Sequence, residues 1–178
     1  MSKLDETASF HPANKQEWRQ WLEENHLNEE AIWLIINKKS SKRPNLTWPE
    51  AVEEALCFGW IDSTKRPIDS IKYEQYFSKR KADSTWSKIN KEKIDELTEK
   101  GLIFEAGIKA VEAAKENGSW TILDSVEALI VPDDLTAAFE QYGSAFNFYN
   151  GLKKAAKKAL LHCVVMAKTP ETSQKRID

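Results

Sequence analysis

Two periods alternate in the first eighty residues of the chain, and only one persists after them. Trp18, Trp21 and Leu22 recur at i, i+3 and i+4 behind Asn14 and Glu17, whose spacing is that of a capping box. This predicts an amphipathic helix over about 15–26. The run Ala31-Ile32-Trp33-Leu34-Ile35-Ile36 is short, β-branched and aromatic, and it ends in Asn37-Lys38-Lys39, as a buried strand leaving a core does. A loop from Ser40 to Leu46 follows. Thr47 and Glu50 repeat the capping-box spacing, Pro49 suits a first helical turn, and Val52, Ala55 and Leu56 form one helical face. Gly59 is placed to end that helix. Two strand-like stretches, 60–65 and 71–80, flank a turn containing Pro67 and Asp69. In the second, Ile71, Tyr73, Gln75 and Phe77 share one face, with Glu74, Tyr76 and Ser78 on the other.

After Arg80 the pattern is helical throughout. Trp86, Ile89, Ile94 and Leu97 suggest a helix closed by Gly101; Phe104, Ile108 and Val111 suggest another closed by Gly118. Asp133 is placed to cap a helix carrying Leu135, Phe139 and Tyr142 and ended by Gly143. Leu152, Ala156, Ala159, Leu160, Cys163, Val164 and Ala167 trace the face of what should be the longest helix, and Thr169 with Pro170 should start a short terminal one. The expected fold is α+β: a small antiparallel sheet with helices in the N-terminal two thirds, its strands all within about 31–80, and an all-helical C-terminal unit. All seven Trp precede residue 121, so the expected division is an α+β domain at 1–118, a linker at 119–132 and a helical unit at 133–178.

Composition narrows the class. Apolar residues make 41% and charged residues 30% of 178, which excludes disordered and low-complexity chains. No stretch approaches 18 apolar residues, and Met-Ser-Lys-Leu-Asp-Glu-Thr lacks the apolar run of a leader, so no membrane insertion and a cytoplasmic protein are expected. Phosphate loops, dinucleotide glycine motifs, nucleophile elbows and zinc-protease motifs are all missing. His11, His26 and His162 lie far apart in sequence without convergent partners, so no metal and no cofactor are expected. Cys57 beside Phe58 reads as a buried, inert thiol, and Cys163 on an apolar face reads the same way.

The densest constellation is Ala55-Leu56-Cys57-Phe58-Gly59-Trp60-Ile61-Asp62. An acid just inside a strand calls for a cationic or backbone partner, and Lys38, Lys65, Arg66 and Arg80 are candidates for Asp62. Asp62 reads either as a structural carboxylate or as a binding or catalytic one. From Asn37 to Lys93 there are thirteen Lys and Arg against eight Asp and Glu, although the whole chain carries a net charge of −2. Tyr73, Tyr76, Phe77 and Trp86 interleave with Lys79, Arg80 and Lys81, a mixture that either stacks on bases and holds anions or is simply a solvated hairpin with its aromatics in the core. The absence of a global positive field disfavours nucleic acid as a partner. Lys153, Lys154, Lys157 and Lys158 read as the wet side of their helix.

Several motifs resemble a known family. Trp33-Leu34 with Lys38, the stretch Thr47-Trp48-Pro49-Glu50-Ala51-Val52-Glu53-Glu54-Ala55-Leu56-Cys57-Phe58-Gly59-Trp60-Ile61-Asp62, and Arg80 ahead of Ser84-Thr85-Trp86-Ser87 with Asn90 look like the YdeI/OmpD-associated family, also called bacteriocin-protection proteins. Ala167-Lys168-Thr169-Pro170-Glu171-Thr172 with Lys175-Arg176-Ile177 is similar to that family's closing motif. The chain departs from the pattern at Lys79, where a proline is usual, at Ser173, where an arginine is common, and at Ser63, where a glycine is usual. The resemblance implies a bacterial cytoplasmic protein connected with tolerance of bacteriocins or antimicrobial peptides, with a protein partner linked to the outer membrane, and it names no catalytic residue. The residues themselves point to a ligand- or protein-binding module that takes a small anionic ligand or a peptide through Lys38, Trp60, Asp62, Arg80, Trp86 and Asn90. An enzyme using Asp62 and a nucleic-acid module using the basic hairpin stand as alternatives. Trp60 and Trp86 are expected to approach one another near an Asp62–Arg80 pair.

Overall fold

In a computed structural model, residues 6–178 are described; the opening Met1–Asp5, read above as part of a segment without a leader, lies outside them. The chain divides into two compact units, one holding residues up to Ser84 together with Ile89–Asn117, the other holding Thr85–Lys88 and Gly118–Asp178. The α+β class and the helical C-terminal region are as the periodicity predicts.

The first unit is built on a four-stranded sheet, β1 (Ser9–Phe10), β2 (Ala31–Asn37), β3 (Trp60–Pro67) and β4 (Lys72–Lys79), in the order β1-β2-β4-β3. β2 runs antiparallel to β4 in a register from Ala31↔Ser78 to Asn37↔Lys72, and β3 pairs antiparallel on the far side with an irregularity between Asp62 and Lys65. The sheet is mixed rather than antiparallel, because Ser9 and Phe10 pair parallel with Trp33 and Leu34. This corrects the expectation that strands lie only within 31–80: two residues are too few for a period of two to register.

One face of the sheet carries Ile32, Leu34, Ile36 and Phe77, all buried, as the alternation in β2 and β4 requires. Against it lie α1 (Lys15–Asn25) and α2 (Trp48–Cys57). Trp18 of α1 stacks near Phe77 at 5.4 Å and donates from its indole to Ala51 O of α2 at 3.0 Å, so the large ring is buried with its N–H satisfied. Both predicted helix starts form: Asn14 accepts from Glu17 N at 3.0 Å, and Thr47 and Glu50 make the reciprocal capping box. The charged flank is organised around buried Glu54, which takes Arg19 at 2.7 Å and Lys15 at 3.2 Å, while Lys93 of α3 (Lys88–Glu99) reaches Glu53 at 2.6 Å.

The tightest packing is between α2 and α4 (Glu105–Glu116). A Cβ added at Gly107 would sit 2.5 Å from the Cys57 carbonyl oxygen, and that same oxygen accepts from Phe104 N at 2.9 Å. Gly59, at φ +71°, would place a Cβ 2.8 Å from Ala106 O. It ends α2 in the left-handed conformation, as its position in the sequence suggests. Phe104 and Ile108, predicted as core positions, are instead substantially exposed; α4 buries Gly107, Val111 and Ala114, because the close approach selects the glycine side of the helix.

The second unit is helical among its described residues: α5 (Asp124–Glu127), α6 (Asp133–Gln141), α7 (Gly143–Gly151), α8 (Lys154–Val165) and α9 (Pro170–Ile177). Its core is Val126, Leu135, Leu161 and Val164, with Phe139 and Ile177 packed on it. Val126 comes from residues 119–132, the stretch expected to be a linker. Three expectations are corrected here. Gly143 starts α7 instead of only ending α6, Asp133 is inside α6 with Pro132 at the cap position, and α8 is turned so that Leu161 and Val164 face inward while Leu160 and Cys163 are exposed. The rotation has a physical origin: Lys158 pairs with Glu127 and Lys157 lies over the Tyr149 ring at 5.2 Å, so half of the lysine face is engaged, not wet. At 12 residues α8 is no longer than α3 or α4. Thr169 caps α9 by accepting from Thr172 N at 3.2 Å, as expected.

Two outcomes test this packing. Gly107→Ala drives a methyl group into a backbone carbonyl that has a hydrogen bond to keep, so it should destabilise the first unit by about 1–3 kcal/mol, read as a lower melting temperature. An unchanged melting temperature would mean the two backbones are not so close. The two cysteines should separate chemically: Cys57 has no exposed surface, and its thiol is pushed up to about 11, first by burial and then by the Glu54 charge. At neutral pH native Cys57 should therefore alkylate on the order of a hundredfold more slowly than exposed Cys163, with both reacting in denaturant.

Candidate functional site

The end of α2, the end of β4 and one face of α4 enclose a cleft of about 330 Å³ in the first unit. Its lining includes Phe58, Lys79, Arg80, Ala106, Lys109 and Ala110. Each element supplies what its sequence allows. On α4, Ala106, Lys109, Ala110 and Ala113 recur at i, i+3, i+4 and i+7, so the helix presents a face of small side chains with one lysine. At the end of α2, Phe58 packs on Phe104 with ring centroids 4.3 Å apart and on His26 at 5.1 Å, which fixes an apolar wall. Arg19 braces the same pair from behind, its guanidinium 5.6 Å from the Phe58 ring and 5.3 Å from that of Phe104.

Arg80 is the chemical centre of this cleft. Its amide donates to Gly59 O at 2.9 Å, so the backbone turn that ends α2 also sets where β4 delivers the arginine. Burial holds its guanidinium down to about 10, and the nearby Asp62 charge only partly offsets that. Two lysines also line the cleft: Lys79 donates to Glu30 at 2.7 Å and to Leu27 O at 2.9 Å, and Lys109 pairs with Glu105 at 2.6 Å. No carboxylate is among the lining residues. The arrangement is a recess of largely apolar side chains with Arg80, Lys79 and Lys109 among its lining residues.

The sequence-predicted site residues do not all meet here. Arg80 lines the cleft. Asp62 stands next to it on β3, and its hydrogen bonds come from the Trp48 indole at 2.9 Å and the Gln75 amide at 3.2 Å, both to Oδ2. Neutral side-chain N–H groups thus supply these hydrogen bonds, and of the candidate cations Arg80 is the one whose charge interacts with Asp62, through space. Trp60 has no exposed surface and packs edge-on against Trp21 at 5.7 Å. Trp86 belongs to the second unit, where its ring lies 5.0 Å from Trp120. Asn90 is half-buried in α3. Lys38 sits just past the Asn37↔Lys72 end of β2, opposite Ile71 and so nine positions from Arg80 along the paired strand, roughly 30 Å away.

Phe58 and Gly59 were part of the cluster singled out in the sequence, while His26, Lys109 and the alanines of α4 were not. The spacing of Ala106, Lys109, Ala110 and Ala113 was available as a signal. What it lacked was any sign that this face meets the end of α2, since α4 was read from Phe104 and Ile108. Cys57 contributes no chemistry to the cleft: its thiol points back to Glu53 O at 3.3 Å. Among the described residues no group of three or more His, Cys, Asp and Glu could hold a metal ion, and no helix is long and apolar enough to cross a membrane.

Comparison with known proteins divides the chain along similar lines. No curated protein and no solved structure matches it. Residues 128–178 match the family described as Bacteriocin-protection, YdeI or OmpD-Associated, which bears out the resemblance drawn from the sequence over that segment. The Thr47–Asp62 stretch, which carried most of the resemblance, falls instead inside a second match at residues 10–110. That match spans the sheet, α1 to α3 and the first half of α4, and covers more than half of the chain. By it the protein belongs to the family described as Domain of unknown function (DUF8412), with a YdeI/OmpD-associated bacteriocin-protection segment following it.

Proposed function

We propose that the protein is a non-enzymatic binding module whose first unit takes a small organic anion, apolar body inward, with its charged head on Arg80. The observation that carries this reading is the cleft itself: a recess lined by Arg80, Phe58 and the small face of α4, with no acid in the lining. An anionic head that reaches the Arg80 side chain would gain a charge-assisted hydrogen bond, and its apolar body would lie on Phe58 and the alanines of α4. An enzyme built on Asp62 is the weaker reading, because both of its hydrogen bonds serve to tie Trp48 and Gln75 to β3. A nucleic-acid module on this face is weaker too, since the aromatics of the hairpin are engaged: Tyr76 lies edge-on to Trp33 at 5.0 Å, and Lys65 covers the Tyr73 ring at 3.9 Å.

Tolerance of bacteriocins or antimicrobial peptides, acting from the cytoplasm, is part of the proposal, supported by the family description of residues 128–178 and by two free thiols of the kind a reducing compartment preserves. A basic cleft repels a cationic peptide. Tolerance would therefore run through an anionic metabolite or partner that the module senses, and not through sequestration of the peptide.

The test uses octanoate and benzoate as probes, with octanol as the uncharged control, in calorimetric titration of the whole chain. The carboxylates should bind and octanol should not. Arg80→Gln should weaken carboxylate binding at least tenfold, the loss expected for a charged hydrogen bond, while the melting temperature stays within a few degrees of wild type. The retained stability follows from the sign of the shift. Burial lowers the arginine below its unfolded value, so the folded state is penalised at pH below about 10 and relieved as pH rises beyond it. Asp62, held by Trp48 and Gln75, is not stranded by the substitution. Carboxylate binding of wild-type strength in Arg80→Gln would overturn the proposal.

A further inference from the structure

At the opposite end of the sheet, the loop after β2 encloses a second and larger recess, about 590 Å³, lined by His11, Asn37, Ser40, Ser41, Lys42, Arg43, Ile71 and Lys72. Four cations, Lys38, Lys39, Lys42 and Arg43, occur within six consecutive positions here, and β4 adds Lys72. Like charges so close repel one another, and an unconstrained loop would spread them into solvent. This loop is instead tied down. Asn45 donates to Pro12 O and to Ile35 O, each at 3.0 Å, and accepts from Asn37 N at 2.9 Å; Asn37 in turn donates from its side chain to Arg43 O. Ser41 accepts from Arg43 N at 3.2 Å, and Ser41 N donates to Lys38 O at 2.8 Å. Asp69 of the adjoining turn accepts from Ile71 N and Lys72 N at 2.7 Å each; these bonds, that from Ile71 first, together with the Lys72 and Lys38 charges, hold its carboxyl below the usual range, so one carboxylate offsets part of the cationic charge. Lys38 is tied to the same turn through Asp69 O at 2.6 Å.

We infer that this recess is a binding site for the phosphate group of a small phosphoester, distinct from the Arg80 cleft. The lining residues fit a tetrahedral dianion better than a planar carboxylate: Arg43 offers a guanidinium fork, Lys42 and Lys72 ammonium groups and Ser40 a hydroxyl, contributed by both the loop and β4. Binding offsets the repulsion that the tethered loop sustains. The recess is far larger than a phosphate ion, so it has room for an organic part, which would lie along Ile71, itself 44% exposed. No Phe, Tyr or Trp is among its lining residues and His11 is the one ring there, bonded to Asn37 Oδ1 at 3.2 Å, so no row of platforms stacks successive bases, which argues for a small molecule over nucleic acid.

The experiment titrates the whole chain with inorganic phosphate, pyrophosphate, glycerol 3-phosphate and a single-stranded oligonucleotide, following backbone amide shifts and heat. Glycerol 3-phosphate and pyrophosphate should bind, moving the amides of Ser40–Arg43. The double variant Arg43→Gln, Lys72→Gln should lose at least tenfold in affinity without a change in melting temperature, and Arg80→Gln should leave phosphoester binding intact. That last control separates this inference from the reading of the Arg80 cleft: either can fail alone. Unchanged affinity in the double variant, amide shifts confined to the Arg80 cleft, or an oligonucleotide binding more tightly than any small phosphoester would each overturn it.

Discussion

Everything that positions the candidate site follows from one close approach, the contact between the backbone leaving α2 and the first turn of α4. The Cys57 carbonyl lies against Gly107 and accepts from Phe104 N, and Gly59 lies against Ala106. Glycine is required on both sides of this contact for different reasons. At Gly107 a side chain would meet a backbone oxygen, whereas at Gly59 the left-handed φ and the neighbouring helix both exclude one. Because Arg80 N donates to Gly59 O, the same short segment fixes the end of β4. A cleft wall, a cleft floor and its central cation are thus set by three consecutive residues, 57 to 59.

That contact also explains how a guanidinium tolerates burial. Arg80 sits where a helix end, a strand end and a helix face converge, and such a junction leaves a gap because no single element can fill it. Two of the three elements contribute small or absent side chains there, since the backbones are already near contact. The recess is a by-product of the tight glycine packing beside it, and Arg80 is among the residues that line it. On the other side of the same helices, Glu53 and Glu54 absorb Lys15, Arg19 and Lys93, so the acidic charge of α2 is spent away from the cleft. The carboxylate that does act on Arg80 is Asp62 of β3.

Local rules made much of the fold legible. Capping at Asn14, Thr47 and Thr169, the alternation in β2 and β4, and the helix end at Gly59 depend on residues within a few positions of one another, and each forms as read. What failed depends on partners distant in sequence. β1 exists only because β2 offers an edge, since two residues carry no pattern of their own. The inward face of α8 was misjudged because Glu127 and Tyr149 draw its lysines into contact, and the face of α4 because the Cys57 carbonyl selects its glycine. At the site, the chemistry-bearing stretch 55–62 was visible, but which of its residues face a cavity was not. Trp60 and Phe58 are two apart and look equally suited to a ligand; one closes the core against Trp21 and the other walls the cleft.

The two recesses of the first unit stand at opposite ends of one sheet, and their contrast says what each selects. The Arg80 cleft has one desolvated cation in apolar surroundings, so its preference rests on removing both partners from water and favours an anion with a hydrophobic body. The loop recess has several solvated cations and hydroxyls and only Ile71 as an apolar edge, so its preference rests on the number of acceptors the ligand presents. Raised salt screens separated, exposed charges far more than buried ones. A ligand held by the loop should therefore lose affinity steeply with ionic strength and one held by Arg80 only weakly, and the net charge of −2 supplies no background attraction to blur the difference. If both proposals hold, two anion sites of opposite physical character on one small sheet would respond to two classes of molecule independently, because β2 and β4 hold the recesses roughly 25 Å apart without a shared residue.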